Sequence, residues 1–264
     1  MRPWIMRLAL VAGLALAWNS AASAQNIFSV GHFDAPMAGW SGSSFYLEIH
    51  DHDNEAHFEP DESVLFAGPN TMMLRPGGAQ WDFLGVGAGQ PLWILPATQQ
   101  PDMLYLGASS EEVPFGVVTP WNPGDSRLPA GSFQWVQLQV VDVRGPGRFS
   151  AYTTDTFGNP TAWVSFSEGG NHIGGGLSSS VFMLAGGHAH FNWAFSAAGD
   201  YEVDWRVVAN VGGDLITSDS ETFFYTASST AIPEPTSLAL MGMAGFGLAG
   251  FGRHWLRVPC RTEG

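Results

Sequence analysis

The constraint that most limits this chain is a period of two: between Gln25 and Ile232 apolar and polar residues alternate between clusters of Gly, Pro, Asn and Asp, and helical periodicity is nearly absent. The clearest run is Trp135 to Val143, where Val136, Leu138 and Val140 share one face and Gln137 and Gln139 the other. Gly145-Pro146-Gly147 then predicts a turn, with Arg148 to Thr154 returning as a hairpin partner. Further strands are expected over Ala162 to Ser167, Ser180 to Leu184, His188 to Ser196, Tyr201 to Ala209 and Glu221 to Thr226, with a tight turn at Ala197-Ala198-Gly199-Asp200. Earlier strands fall near Ile27 to Phe33, Phe45 to His50, Ser63 to Ala67 and Trp81 to Gly85; the Pro-rich stretch 87–122 reads as a flap or insertion. The pattern is that of an all-β chain folded as an antiparallel β-sandwich over residues 25–231. The single cysteine, Cys260, lies beyond that domain, so core burial or a bound metal has to hold it without a disulfide.

Both ends carry a different signature. Arg2 and Arg7, an apolar run from Leu8 to Ala17 and Ala22-Ser23-Ala24 ahead of Gln25 read as a cleaved secretory leader over residues 1–24. Residues 232–264 hold Pro233-Glu234-Pro235, an apolar stretch from Thr236 to Gly252 of the length of a marginal transmembrane helix, and a basic tail with Arg253, Arg257 and Arg261. This segment resembles the PEP-CTERM sorting signal of Gram-negative bacteria. The resemblance implies export, recognition of Pro233-Glu234-Pro235 by an exosortase, removal of the helix, and delivery to the cell-envelope surface or the extracellular matrix. An uncut tail that stays in the inner membrane is the other reading of the same residues.

Charge narrows the partners. The chain has no lysine; of its ten arginines, Arg75, Arg127, Arg144, Arg148 and Arg206 lie in the domain, against all of the 24 Asp and Glu except Glu234 and Glu263. So acidic a surface repels nucleic acid and anionic lipid and favours cations and neutral ligands.

Seven of the eight histidines lie in the exported domain. In Gly187-His188-Ala189-His190-Phe191-Asn192-Trp193-Ala194-Phe195, a single strand would send Phe191, Trp193 and Phe195 into the core and His188, His190 and Asn192 to the opposite face. An H-x-H pair on a strand can converge on one divalent ion but needs further ligands, and His32 and Asp34 of Gly31-His32-Phe33-Asp34 offer a nitrogen and an oxygen on a common face. Such a set suits zinc or manganese better than calcium. His50, His52 and His57, embedded among acids, read either as a second cation-binding loop or as a solvated polar loop. The Gly31 to Asp34 and Gly187 to Phe195 stretches, with Val140 to Tyr152 around Gly145-Pro146-Gly147, Gly199 and Tyr201, resemble the choice-of-anchor M or surface-anchored protein domain. Many members of that group are encoded beside ABC-type metal-uptake systems, which implies a surface role in metal capture.

No G-x-S-x-G elbow, H-E-x-x-H helix or cysteine nucleophile occurs in the exported region, so the expectation is a binding protein and not an enzyme. Trp81, Trp93, Trp121, Trp135 and Trp163 fall near expected strand ends, where exposed rings would stack on an exopolysaccharide and buried ones would fill the core. The two function classes that stand are therefore a surface protein binding a divalent metal through His32, Asp34, His188, His190 and Asn192, and a structural biofilm-matrix protein without a metal site.

Overall fold

A computed structural model describes residues 26–232; the leader, the Pro-Glu-Pro site and the apolar C-terminal stretch lie outside the described residues. The first half of the domain contributes β1 (Asn26–Phe28), β2 (Gly31–Trp40), β3 (Phe45–Asp51), β4 (Ala56–Phe58), β5 (Ser63–Ala67), β6 (Met72–Leu74), β7 (Pro91–Leu95) and β8 (Leu104–Glu112). The second half adds β9 (Trp135–Arg144), β10 (Phe149–Thr154), β11 (Pro160–Ser167), β12 (Gly170–Asn171) and β13 (Ser180–Leu184). It closes with β14 (His188–His190), β15 (Asn192–Phe195), β16 (Gly199–Val211), β17 (Asp214–Thr217) and β18 (Glu221–Ala227).

These strands form three sheets, in the orders β1-β5-β18-β16-β9-β13 with β17 beside β16, β12-β11-β10-β15-β7-β6, and β14-β8-β2-β3-β4. Most pairings are antiparallel, while β1–β5, β5–β18 and β2–β8 run parallel. All three sheets feed one apolar core, and its densest part is aromatic: Trp193 and Phe149 of the second sheet meet Trp205 of the first at centroid distances of 6.0 and 6.2 Å. The third sheet enters the same core through Phe33, Leu47, Ile49, Leu104 and Leu106. The expected all-β sandwich is thus present, and burial of large apolar side chains holds it without a disulfide.

Local pattern explains the strands closely. In β9, Val136, Leu138 and Val140 are buried; a bulge opposite Asp204–Trp205 then inserts Val141, which is exposed, and moves the next inward position to Val143. Three expectations are corrected. First, β9 and β10 are not hairpin partners: β9 pairs with β13 and β16, whereas β10 pairs with β11 and β15, so the Gly145-Pro146-Gly147 turn carries the chain from one sheet to another. Second, Ala79–Leu84 is a 3-10 helix, because Trp81 and Leu84 cover the outer face of the second sheet against Leu92, Ile94 and Tyr152. Third, 87–122 is no flap: it supplies β7 and β8, both interior strands with buried apolar residues.

The turn at Ala197–Asp200 also crosses between sheets, from β15 to β16. Tyr201 clamps it, its phenol donating to the Ala197 carbonyl at 2.9 Å and accepting from the Ala197 amide at 3.1 Å. Tyr201→Phe leaves both backbone groups without that partner and is expected to lower stability by about 1–3 kcal/mol, read as a fall in urea midpoint at unchanged slope.

Candidate functional site

The polar face of the third sheet is where the histidines gather. Period-two alternation sends Phe33 and Ala35 of β2 into the core and turns His32 and Asp34 the other way. A bulge between Asp34 and Met37 then shifts the inward set to Ala38, with Trp40 packed against it. Strand register carries the polar row sideways: His190 faces Gly107 across β14–β8, Gly107 faces Asp34, Asp34 faces His50, and His50 faces His57. Five strands therefore meet along one line, four of them contributing side chains and β8 a glycine.

Asp34 is at its centre, fully buried. Its Oδ2 meets His52 Nε2 at 3.0 Å, and its Oδ1 is enclosed with no hydrogen-bond partner. Gly107 makes this placement possible, since a Cβ on that residue would lie 2.1 Å from Asp34 Oδ1 and 3.1 Å from His190 Cε1. His32 Nε2 and His190 Nε2 point at one another 3.2 Å apart, and the His32 ring stacks on His52 at 4.2 Å. Tyr105 lies flat against His190 at 3.7 Å and fixes its plane. His188, at the exposed rim, bonds Glu111 Oε1 through Nδ1 at 2.7 Å. His50 continues the chain, 4.2 Å from His52 and 4.6 Å from His57, which pairs with Glu48 at 2.9 Å.

The loop that presents His52 is built by its own side chains. Asp51 Oδ1 accepts from the amides of Asp53 and Asn54, Glu55 takes a left-handed φ of 51°, and the His52 amide donates to the His32 carbonyl at 3.0 Å. Burial governs the electrostatics. It pushes the His190 imidazole down to about 4, only partly opposed by Asp34 and reinforced by His32, and it lowers His32 with help from His52. Burial thus disfavours the protonated form of both rings, the form that cannot ligate a metal. Burial and Asp34 raise Tyr105.

His32, Asp34, His188 and His190 are thus brought together across more than 150 residues of sequence separation, the His32–His190 pair being 158 apart. Asn192 is not among them. The segment expected as one strand breaks at Phe191: β14 joins the third sheet and β15 the second, so Asn192 instead accepts from the Ala97 amide at 3.1 Å and donates to the Tyr152 carbonyl at 3.3 Å. Phe191, Trp193 and Phe195 do form the buried stripe. Two members were not read into this set, His52 and Glu111. The His50-Asp51-His52 repeat of the H-x-H spacing carries a signal for His52; only the register of Tyr105 and Gly107 against His32 and Asp34 puts β8, and Glu111 with it, beside this site. Three donor sets have all atoms within 4.8 Å: His32, Asp34 and His52; His50, His52 and Glu111; Asp34, Glu111 and His188. None of the described tryptophans is exposed; Trp163 lies under the Arg127 guanidinium and Trp121 bonds the Trp135 carbonyl.

The described domain is β-rich, and a sorting motif beyond it supports export to the cell surface. The family model for the PEP-CTERM protein-sorting motif matches residues 231–257, which marks the chain for exosortase-dependent sorting. No curated protein and no solved structure matches it. No helix among the described residues is long and apolar enough to cross a membrane.

Two outcomes are expected. Gly107→Ala forces the Asp34 carboxylate from its place, costing about 1–3 kcal/mol and shifting the His52 and His190 imidazole resonances in NMR spectra. In chelator-treated protein, His190 binds its proton near pH 4 when folded and near 6.5 when unfolded, so this group's stabilising contribution is complete above 6.5 and is lost as pH falls towards 4. His190→Gln should flatten that part of the stability profile.

Proposed function

We propose that this exosortase-sorted domain captures a divalent transition metal, zinc or manganese, at the envelope surface, and that it does so as a binding protein without catalysis. The single observation that carries the reading is the enclosed Asp34 carboxylate, one oxygen lacking any partner, with the His32 and His52 imidazoles converging on the same group. Leaving a buried anion half satisfied is costly, and a cation is the partner that fits. Geometry supports it. Ligand atoms about 2.0–2.1 Å from a tetrahedral zinc stand about 3.3–3.4 Å from one another. The His32–His190 and Asp34–His52 separations of 3.2 and 3.0 Å are close to that edge. His32, Asp34, His52 and His190 are the assigned ligands, a mixed nitrogen and oxygen set.

The excess of acidic over basic side chains adds a field that concentrates cations near the domain. The likeness of the Gly31 and Gly187 segments to the choice-of-anchor M domain, whose members often accompany metal-uptake systems, supports the same reading. In this account the apolar stretch after Pro233-Glu234-Pro235 tethers the protein to the inner membrane until exosortase removes it.

Isothermal titration of the chelator-treated domain with zinc or manganese tests the proposal. His190→Ala is expected to weaken binding by roughly 100-fold and Gly107→Ala by roughly 10-fold, whereas Asn192→Ala leaves it unchanged. Absence of heat and of bound metal in the unmodified domain overturns it. For sorting, replacing Pro233-Glu234-Pro235 by three alanines should leave a full-length form in the membrane fraction; unaltered release of a shortened form would contradict the assignment.

A further inference from the structure

Resting on the metal-capture reading, a finer feature of the cluster concerns how many ions it takes. Of the three donor sets, two meet at Asp34, and the third, His50, His52 and Glu111, lies between them. His32, Asp34 and His52 make the inner set, with His190 facing His32; Asp34, Glu111 and His188 make the outer one. Asp34 is the residue common to both. It is fully buried, has two carboxylate oxygens, and only one of them is hydrogen-bonded.

We infer that the site is binuclear, with the Asp34 carboxylate bridging an inner divalent ion and an outer one. A single tetrahedral ion uses four ligands; His32, Asp34 and His52 offer three and His190 faces His32 at 3.2 Å, which leaves Glu111 and His188 as a second pair. These two are pre-set: Glu111 Oε1 and His188 Nδ1 are 2.7 Å apart, while the other Glu111 oxygen is 3.9 Å from His52 Nε2. Carboxylate bridging is how paired ions about 3.5–4 Å apart share a site. Burial differs between the halves, for His190 and His32 lie deeper than His188, which is exposed. The inner ion is therefore held by a drier, more rigid shell, and the outer one exchanges with solvent and partners.

The test is stoichiometry, by elemental analysis of zinc-saturated, desalted protein together with electron paramagnetic resonance of the manganese-loaded form. Two ions per chain and a spin-coupled manganese signal are expected. Glu111→Gln and His188→Ala should each reduce the count to one and convert the signal to that of isolated ions, with inner-ion affinity changed less than threefold. Asp34→Asn should lower the affinity for both ions by more than tenfold. One ion in the unmodified protein, or a count that stays at two in Glu111→Gln and His188→Ala, overturns the binuclear inference and leaves metal capture standing. No bound ion at all overturns both.

Discussion

A carboxylate shut inside protein with one oxygen unpartnered is the constraint on which the polar face of this domain depends. Asp34 is held there by its strand, by the bulge that follows it, and by the missing side chain at Gly107. A buried anion without full compensation is tolerated only where something offsets its cost. His52 supplies part of that compensation, and the remaining oxygen is enclosed in the space a Gly107 side chain would take. The proposed cation binding rests on this electrostatic imbalance more than on the number of histidines.

The rest of the fold keeps that face still. Aromatic packing among Phe149, Trp193 and Trp205 joins two sheets, and the Trp193 indole donates to the Leu106 carbonyl at 2.9 Å, tying the core to the strand that carries Gly107 and Glu111. Ligands set on β-strands over a packed core vary less in position than ligands on loops. His52 is the exception, and its loop is pinned by Asp51 and by the His32 carbonyl. An exported domain with no cysteine has to find rigidity in this way, from burial and hydrogen bonding.

Much of the architecture was legible in the sequence because period two is a local property. The Val136, Leu138, Val140 face and the Phe191, Trp193, Phe195 stripe appear where alternation puts them. What local pattern lacks is the partner of each strand: β9 and β10 look like a hairpin, yet each joins a different sheet. The Trp81 segment has the apolar content of a strand but forms a 3-10 helix, its apolar residues covering a sheet from outside. At the site, the His188, His190 and His32 reading rested on strand faces and survives as geometry. Asn192 fell away because the chain changes sheets at Phe191, which alternation does not reveal. Glu111 needed the parallel register of β2 and β8, a long-range fact with no local signal.

Anomalous diffraction from zinc-soaked crystals of the exported domain, recorded on both sides of the zinc edge, tests the central claim most directly. A peak within about 2.0–2.2 Å of an Asp34 oxygen and about 2.0–2.1 Å of the His32 and His190 Nε2 atoms is the result this account requires. Contradiction would be a clean map at Asp34, with the carboxylate satisfied by an ordered water and any zinc confined to surface carboxylates elsewhere.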